Sequence, residues 1–396
     1  MSLKGNISNL TKPYSIGIIG GGQLALMLVE AAKERNIKVC VQTNSLNDPG
    51  GLKADFVIEA NALQIKGNKK LIKECQKIIF ENEWVKIETL KQLGSEKFFI
   101  PSLDSLAQLV DRISQKKLID QLNLPTPKWI TVKECKKLKE SFFEEWNFPL
   151  MAKAFKGGYD GKGNKKISNK EDFDSFINQI TTDEWILEEW IEYEKEFALV
   201  GSRDSQGKIR LFPIVETFQS NNVCHWALSP AKTNYEINLF ALNVFSSIVN
   251  ELDYVGVLGI EFFFGNSGLL INEIAPRTHN SGHFSIEACN SSQFDQHICI
   301  SCGLKTPDIK MNCEGSLMIN LLGLKKDHPL KIDDRLKRLS ELKGANIHWY
   351  GKSQEIFERK MGHITFLLEE TNYENRLEKA KVLIRKVNLI WPSPHH

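Results

Sequence analysis

The feature that most constrains the fold is a short apolar strand near the start of the chain that runs directly into three consecutive glycines. Residues 15–20 read SIGIIG, the glycines continue to Gly22, and LALMLVEAAKE follows with apolar residues at helical spacing. A second apolar segment, IKVCVQT, is typical of another strand. A strand, a helix and a strand in this order predict a parallel sheet with a right-handed crossover. The segments DFVIEA and QKIIFENE are expected to add strands to this sheet.

The glycine-rich turn itself has three interpretations. Residues 20–25, GGGQLA, fit the dinucleotide fingerprint G-x-G-x-x-A, in which glycine lets the backbone approach a phosphate at a helix N-terminus. The acidic residue that would bind the ribose of NAD is missing, because Gln42 and Asn44 stand at the end of the second strand. NAD binding is therefore disfavoured. Two alternatives stay open: a site for a substrate phosphate, or a tight turn that closes helix–strand packing.

Composition limits the classes of function. The chain has 396 residues and a formal net charge of +2, which gives no electrostatic case for binding nucleic acid. No apolar run approaches the roughly 18–20 residues of a membrane span, and the N-terminus lacks the apolar centre of a secretory signal. We therefore expect a cytoplasmic protein that does not bind to or span a membrane. Cys299 and Cys302 form a lone CxxC without a second pair, and we interpret them as reduced thiols on a helix.

A second glycine-rich loop follows a strand in the middle of the chain. The segment PLMAKAF is typical of a strand and carries Lys153, and the loop after it has four glycines in residues 157–163. The backbone N–H groups of such a loop can fold over phosphate oxygens, with Lys153 as a neighbouring cation. The pattern is not a Walker motif. By itself it fits a nucleotide lid and a flexible hairpin equally well.

Two glutamates are expected to face each other on one β-hairpin. VGVLGIEFFF and GLLINEIAP form its strands and GNSG its turn, so that Glu261 and Glu273 lie on adjacent strands. Facing carboxylates can share Mg2+, and Asn272 adds an amide oxygen. The polar segment PRTHNSGH directly after the second strand has the Arg, His, Asn and Ser side chains that binding loops use.

Two further polar groups have both a functional and a structural interpretation. Glu81, at the end of an N-terminal strand, is either a hydrogen-bond acceptor for a sugar or an amine, or a solvated strand end. Lys352 and the basic group RKMGH at residues 359–363 suit a phosphate monoester, or are surface charges.

The remaining segments define the order of the other elements. Helices are expected over residues 105–122 and 239–252, and Pro125 and Pro127 predict a domain boundary. WILEEWI, FALVGSR and IRLFPIVE are typical of strands. After Pro307 we expect the strands SLMINLLG, ANIHWYG and GHITFLL, with a lysine-rich helix between the first two.

The order of these features resembles one enzyme family. GGYDGKG, LEEWIEYEKE, GIEFFF, NEIAPRTHNSGH, SQFDQH and RKMGH follow one another as in the 5-(carboxyamino)imidazole ribonucleotide synthetases, which are ATP-grasp enzymes of purine biosynthesis. The likeness covers residues 17–366. It implies an α/β chain with the ATP-grasp fold: an N-terminal Rossmann-like parallel-sheet domain over residues 1–115, a lid subdomain over 116–190, a base subdomain over 191–310 and a small C-terminal β-rich domain over 311–396.

The resemblance also implies roles for individual residues, with the hinge at 188–191 on the adenine and Glu196 on the ribose. The residues implied for ATP are Arg112, Lys153, Gly158, Tyr159, Asp160, Gly161, Lys162, Gly163, Asn164, Glu188, Glu189, Trp190, Ile191, Glu196, Gln219, Asn272 and Glu273. Those implied for the imidazole ribonucleotide are Gln23, Glu81, Tyr159, Lys162, Arg277, His279, Asn280, Ser281, Lys352, Arg359 and Lys360. Mg2+ would be held by Glu261 and Glu273, and the catalytic residues would be Arg277, Asp160 and Lys352.

The family reaction is the carboxylation of 5-aminoimidazole ribonucleotide with ATP and bicarbonate through carboxyphosphate, and the resemblance implies a homodimer. Gln219, Lys162 and Cys299 depart from the family pattern, in which His, Arg and Arg are frequent at these positions. The alternatives are another ATP-grasp ligase, such as a formate-dependent glycinamide ribonucleotide transformylase or a biotin carboxylase, a nucleotide-binding regulator without catalysis, and an NAD-binding module. The intact Lys153 and the paired carboxylates argue against the regulator.

Overall fold

The computed structural model describes residues 12–94, 96–156, 163–182, 184–221, 223–325 and 328–393. Its first part is the parallel sheet that the strand–glycine–helix opening predicts, with strand order β3-β2-β1-β4-β5. The strands are β1 Tyr14–Ile19, β2 Val39–Thr43, β3 Phe56–Glu59, β4 Cys75–Phe80 and β5 Phe99–Ile100. The helices are α1 Gln23–Glu34, α2 Pro49–Lys53, α3 Ile65–Glu74, α4 Ile87–Lys91 and α5 Leu103–Ala107.

The topology of this sheet creates a binding position at one edge. β1 pairs with β2 on one side and with β4 on the other, so the connections after β1 and β4 diverge at their carboxyl ends. Ligands of open parallel sheets bind in the crevice at such a point. Gln23 begins α1 directly after β1, and Glu81 follows β4, so both lie at this crevice.

The glycine-rich turn between β1 and α1 is shaped by close packing. Gly20 has a φ of +108°, and a Cβ at Gly21 would lie 2.1 Å from Oγ1 of Thr43. A Cβ at Gly22 would lie 2.3 Å from Oε1 of Glu81, whose other oxygen accepts a hydrogen bond from the Gly22 amide at 2.7 Å. A carboxylate therefore fills the N-terminus of α1. The structure agrees with the interpretation as a packed turn, since the amide of Gly22 is not left for a phosphate.

The single helix expected over residues 105–122 is wrong. The chain forms two helices there, α5 and α6 Arg112–Gln121, because each has its own capping residue. Oγ of Ser102 accepts a hydrogen bond from the Ser105 amide at 3.1 Å, and Oδ1 of Asp111 accepts one from the Ser114 amide at 2.8 Å. Because the chain breaks between α5 and α6, α6 begins at Arg112, and this residue lies at the cavity described below.

The second part is a four-stranded antiparallel sheet in the order β6-β9-β7-β8. Its strands are β6 Trp129–Thr131, β7 Leu150–Ala154, β8 Asn164–Ile167 and β9 Trp185–Glu189, and its helices are α7 Val132–Leu138, α8 Phe142–Glu145 and α9 Lys170–Gln179. In its core the ring of Phe142 stacks on both Trp146 and Phe173. The loop of residues 157–162, which contains most of the predicted nucleotide lid, lies outside the described residues.

The third part is a larger antiparallel sheet in the order β15-β14-β10-β12-β13-β16-β18-β17, with β11 paired to β10. Its strands are β10 Lys195–Arg203, β11 Ile209–Leu211, β12 Val215–Ser220, β13 Val223–Ser229, β14 Gly256–Gly265, β15 Gly268–Ala275, β16 Gly315–Leu322, β17 Asn346–Trp349 and β18 Lys360–Leu368. Its helices are α10 Tyr235–Glu251, α11 Ser285–Ala288, α12 Gln293–Ser301, α13 Ile332–Ser340 and α14 Tyr373–Ile390. The predicted hairpin of β14 and β15 is confirmed, whereas the segment IRLFPIVE is divided into β11 and β12.

The last strands continue the large sheet. β16 pairs with β13, with Trp226 opposite Ile319, and β18 and β17 follow outward. Helices α13 and α14 cover one face of these strands, with Leu339 and Leu383 in the shared core. The α/β fold class with a C-terminal β-rich region is therefore confirmed.

One hydrophobic core joins the first part of the structure to the third. α1 of the parallel sheet packs against Phe294 and Ile298 of α12, and Tyr350 from the last part joins the same cluster. Arg35 at the end of α1 also pairs with Asp295 of α12. All eight cysteines are free thiols, with Cys299 on α12 as expected. Among the described residues, no helix is both long and apolar enough to cross a membrane.

Candidate active site

A cavity of about 410 Å³ lies where the parallel sheet, the four-stranded sheet and the large sheet meet. It gathers predicted residues from distant parts of the sequence. Those that line it are Gln23, Glu81, Arg112, Lys153, Asn164, Glu188, Glu189, Trp190, Ile191, Glu196, Gln219, Glu261, Asn272, Glu273, Arg277, His279, Asn280, Ser281, Lys352, Arg359 and Lys360. Gly163 is described but does not line the cavity, and Gly158, Tyr159, Asp160, Gly161 and Lys162 lie outside the described residues.

The two predicted metal ligands lie directly opposite each other. Glu261 on β14 pairs with Glu273 on β15, and the register shifts immediately after Glu261. Neighbouring residues on a regular strand point to opposite faces of a sheet, but a β-bulge adds a residue and turns its side chain. This irregularity lets both Asn272 and Glu273 line the cavity. The pair NE in the sequence thereby brings a side-chain amide and a carboxylate to the same cavity.

The surroundings of Glu261 keep it ionised. Its carboxylate lies 3.3 Å from Nε2 of His279 and 3.4 Å from Nε2 of Gln219. Burial opposes the charge, but the hydrogen bond and the charge of His279 outweigh burial and lower the pKa of Glu261. Glu273 lies 3.2 Å from Nη1 of Arg112. Two carboxylates that face one another are suited to a hard divalent cation. The expected amide oxygen is not beside them, because Asn272 turns its Nδ2 toward Oε2 of Glu261, at 3.5 Å, and its Oδ1 toward Lys153.

A buried Lys–Glu–Lys chain forms one wall. Oε2 of Glu188 lies 2.5 Å from Nζ of Lys153, and Oε1 lies 2.9 Å from Nζ of Lys116. Burial opposes ionisation of Glu188, but the two ammonium groups lower its pKa to about 2. Burial lowers the pKa of Lys116 to about 8, so it is still mostly protonated at pH 7. Lys153 also donates to Oδ1 of Asn272 at 2.9 Å, which joins this wall to the carboxylate pair.

Glu196 lies in a less polar part of the cavity. Burial and the charge of Glu261 together raise its pKa to about 7, against the opposing effect of a hydrogen bond from Tyr193. The ring of Tyr193 stacks on Phe263, with 4.7 Å between the ring centroids. These rings, together with Met151, Trp190 and Ile191, give this end of the cavity flat apolar walls. Such walls suit a purine base.

Arg277 is oriented by an acidic partner from the parallel sheet. Its Nε donates to Oε2 of Glu83 at 2.7 Å, and its Nη1 donates to the carbonyl of Thr278 at 3.1 Å. Burial opposes ionisation of Glu83, but the charge of Arg277 outweighs it and lowers the pKa of Glu83. The guanidinium is thus held between two parts of the chain.

The loop that contains Arg277 is held by buried amides. Gln293 accepts a hydrogen bond from the His279 amide at 2.8 Å and donates to the His279 carbonyl at 2.7 Å. The side chains of Asn280 and Asn320 exchange two hydrogen bonds, at 3.0 and 2.7 Å. Oγ of Ser281 lies 2.8 Å from Nδ1 of His279. The loop therefore has a fixed shape although it has little regular secondary structure.

Basic side chains from the end of the chain close the opposite side. Nζ of Lys352 donates to Oε1 of Gln23 at 2.6 Å and to the carbonyl of Lys360 at 2.5 Å. Arg359 and Lys360 line the cavity beside it. The basic group predicted to suit a phosphate monoester thus lies close to the turn after β1, which Lys352 contacts at Gln23.

Family models match the three parts of the chain in order. Residues 14–109 match the ribonucleotide synthetase preATP-grasp domain, residues 117–294 the ATP-grasp domain, and residues 316–376 the phosphoribosylaminoimidazole carboxylase C-terminal domain. The N5-carboxyaminoimidazole ribonucleotide synthase of Synechococcus elongatus is 36% identical over 380 residues, which is 96% of each chain. The chain belongs to the N5-carboxyaminoimidazole ribonucleotide synthase family. This confirms the family predicted from its motifs.

Solved structures of N5-carboxyaminoimidazole ribonucleotide synthases share the whole architecture. One, an ADP complex, is 33% identical and superposes with a TM-score of 0.86 over 97% of this chain and 98% of the other. The enzyme of Aspergillus clavatus, in complex with ADP and 5-aminoimidazole ribonucleotide, is 26% identical with a TM-score of 0.84 over 96% and 99% of the two chains. Membership of this synthase family makes the chain an ATP-grasp ligase.

Sequence reasoning missed two charged residues of this synthase site. Glu83, the partner of Arg277, lies two residues after the predicted Glu81, and the signal was a second carboxylate in the segment ENE. Lys116, the second partner of Glu188, lies four residues after Arg112 on α6, a spacing that places both on one helix face. Tyr193 and Phe263 were also missed, because isolated aromatic residues give no distinct signal for a base-binding wall.

Proposed function

We propose that this chain carboxylates 5-aminoimidazole ribonucleotide to N5-carboxyaminoimidazole ribonucleotide in purine biosynthesis, using ATP and bicarbonate and releasing ADP and phosphate. The observation that carries the proposal is that one cavity collects most of the described residues predicted for nucleotide, metal and ribonucleotide, in a chain that matches a member of the family over 96% of both lengths. An enzyme with only the shared ATP site would not need the basic group at Lys352 and Arg359.

The nucleotide is assigned to the end of the cavity between the two antiparallel sheets. Lys153 and Arg112 contact its phosphates, residues 188–191 contact the adenine, and Glu196 accepts hydrogen bonds from the ribose hydroxyls. The flat walls at Tyr193 and Phe263 support the position of the base. In this arrangement the γ-phosphate points toward Arg277 and the carboxylate pair.

Glu261 and Glu273 would hold Mg2+. The residues fit the ion because their carboxylate groups lie opposite each other on paired strands and both line the cavity. When bound, Mg2+ offsets the negative charge of the triphosphate. Arg112 and Lys153, next to these carboxylates, would supply the remaining positive charge.

The reaction has two steps. An oxygen of bicarbonate attacks the γ-phosphorus, the bond to the β-phosphate oxygen breaks, and ADP leaves while carboxyphosphate forms. The exocyclic amine of the ribonucleotide then bonds to the carboxyl carbon, a proton leaves the nitrogen, and inorganic phosphate departs. Arg277 would hold carboxyphosphate through N–H groups that Glu83 does not use, since the guanidinium has five donors. Asp160 is assigned to orient or deprotonate the amine.

The ribonucleotide is assigned to the crevice of the parallel sheet. Lys352, Arg359 and Lys360 contact its phosphate, while Glu81 accepts hydrogen bonds from its sugar. Their positions around Gln23 support this assignment, because Lys352 contacts that residue directly. Tyr159 and Lys162 would contact the ribonucleotide from the lid.

We extend the proposal to the setting of the enzyme. We assign it to the cytoplasm as a homodimer that acts on small molecules only. We also keep the boundaries at residues 115, 190 and 310 as a proposed division into domains.

The test is an assay of purified protein that follows phosphate and carboxylated ribonucleotide together. We expect phosphate release that requires ATP, bicarbonate and 5-aminoimidazole ribonucleotide at once. Formate, glycinamide ribonucleotide and biotin serve as control substrates for the other ATP-grasp ligases. Turnover with any of these, and none with the aminoimidazole, would assign the chain to a different reaction.

A further inference from the structure

Lys116 is a buried lysine that is not among the residues lining the cavity. Its side chain is 4% exposed. Its Nζ donates to Oγ1 of Thr126 at 2.6 Å, and that hydroxyl donates to the carbonyl of Ile271 at 2.8 Å. The ammonium is therefore fixed between Glu188 and the Thr126 hydroxyl, which is itself bonded to β15 at Ile271. It lies behind Glu188, where a ligand in the cavity does not reach it.

Glu188 is shared between this hidden lysine and a lysine in the cavity. One carboxylate oxygen lies 2.9 Å from Lys116 and the other lies 2.5 Å from Lys153. Two ammonium groups and one carboxylate carry a net charge of +1. Without Lys116 the remaining pair would carry no net charge, and the field of Lys153 would be largely cancelled by the carboxylate beside it.

We infer that Lys116 is a positioning residue for nucleotide binding, which balances Glu188 from behind so that the charge of Lys153 acts on the phosphates of ATP. The inference rests on the proposed function, in which Lys153 contacts those phosphates. Lys116 acts only through Glu188. The hydrogen bond that Lys116 donates to Thr126 holds its ammonium away from the cavity.

The first experiment compares a ligand with phosphates and one without. For Lys116→Met we expect the dissociation constant of ATP, measured by calorimetry in the presence of Mg2+, to rise about tenfold. The affinity for adenosine, measured by competition, should stay unchanged, because adenosine has no phosphate for Lys153 to contact. The matched control is Lys117→Met, which removes the next lysine on the same helix, where the side chain is exposed.

The second experiment removes the charge that Lys116 balances. In a Glu188→Gln background the amide needs no counter-charge, so adding Lys116→Met should change the dissociation constant of ATP by less than about twofold. The comparison is between Glu188→Gln and the double variant Glu188→Gln, Lys116→Met. Any loss of ATP affinity caused by changing the hinge at Glu188 is the same in both proteins and cancels. Lys116→Gln, which keeps a hydrogen bond to Thr126 without a charge, serves if Lys116→Met does not fold.

Three results would overturn the inference: ATP affinity within about twofold of the wild type in both Lys116 variants, equal losses for ATP and adenosine, or the same loss in the Glu188→Gln background. Equal losses would indicate that Lys116 only supports the fold of the hinge. A wild-type chain that fails to bind ATP would instead contradict the proposed function, so the two failures are distinct.

Discussion

The two carboxylates at the centre of the cavity have different polar neighbours. Glu261 has His279 and Gln219, whereas Glu273 has Arg112. If both carboxylates bind Mg2+, replacing either glutamate should remove one charged ligand, although the two side chains have different neighbours.

Glu261→Gln and Glu273→Gln should each lower kcat by about a hundredfold or more, because each keeps the shape but removes a charged oxygen ligand. The loss should be largest at limiting Mg2+, which a titration of kcat against Mg2+ would measure. Glu251→Gln, on the exposed end of α10, is the control. Near wild-type turnover of either cavity variant at limiting Mg2+ would contradict the metal assignment.

Glu196 predicts a pH dependence of stability. Its pKa is about 7 in the folded chain, against about 4.5 when exposed, so the folded state binds the proton more tightly. Stability is therefore lost as the pH rises from about 4.5 to about 7, by up to roughly 3 kcal/mol. Glu196→Gln should raise the thermal midpoint at pH 8 and much less at pH 5, while it weakens ATP binding. An equal gain at both pH values would show that burial of this charge is not the cause.

Arg277 tests the second step of the reaction. Arg277→Lys keeps the charge but loses the planar contact, which costs about 2–4 kcal/mol in a closed site. We expect normal ATP affinity, slow carboxylation and more phosphate than carboxylated product, measured in one reaction. Glu83→Gln should shift the same ratio less, because it only loosens the guanidinium. A ratio that stays near one while both rates fall would place Arg277 in phosphoryl transfer instead.

At the scale of elements, the turn after β1 links the packing of the parallel sheet to the ribonucleotide. The Cβ of Gly22→Ala would meet Oε1 of Glu81 at 2.3 Å, so the carboxylate must move. We expect the KM for the ribonucleotide to rise by about tenfold or more, with ATP affinity unchanged.

The control for this turn is Gly67→Ala on α3, whose Cβ would meet Ala60 at 2.6 Å far from the cavity. It should lower the thermal midpoint without changing the KM for the ribonucleotide. If Gly22→Ala behaved in the same way, Glu81 would have no part in binding the sugar.

Local pattern was enough to predict many of these elements. The alternating apolar strands around GNSG fixed the hairpin of β14 and β15, and with it the approach of Glu261 to Glu273. The β-bulge that turns Asn272 into the cavity could not be predicted in this way. The extra residue does not change the apolar pattern of β15 enough to be recognised in the sequence. The helix expected over residues 105–122 failed because capping by Asp111 outweighed a continuous periodic pattern. Helix α14 was not predicted at all.

At the scale of the whole molecule, the cavity exists only where all parts meet. Motifs along the chain named its residues, but partners more than a hundred positions apart, such as Glu83 and Arg277, could not be paired from the sequence. The shared core of α1, α12 and Tyr350 is what brings them together. Binding of one ligand should therefore change the backbone dynamics of several parts of the structure.

Hydrogen exchange would separate the two halves of the cavity. ADP should slow exchange at residues 189–194, and the ribonucleotide should slow it at residues 82–86 and 350–359, because these segments have few backbone partners of their own. Helix α14, which lies away from the cavity, is the internal control. Protection of residues 350–359 by ADP alone would contradict the assignment of the basic group to the ribonucleotide.

The pairing of β13 with β16 has a consequence for how the chain is made. During synthesis, β13 (residues 223–229) cannot pair with β16 until residues 315–322 have left the ribosome. Until then the nascent chain exposes an unpaired strand, which is the kind of surface through which proteins aggregate. A message cut short after α12 would yield a polypeptide that holds most of the nucleotide half but keeps this edge open. Such a fragment should depend on chaperones far more than the complete enzyme does.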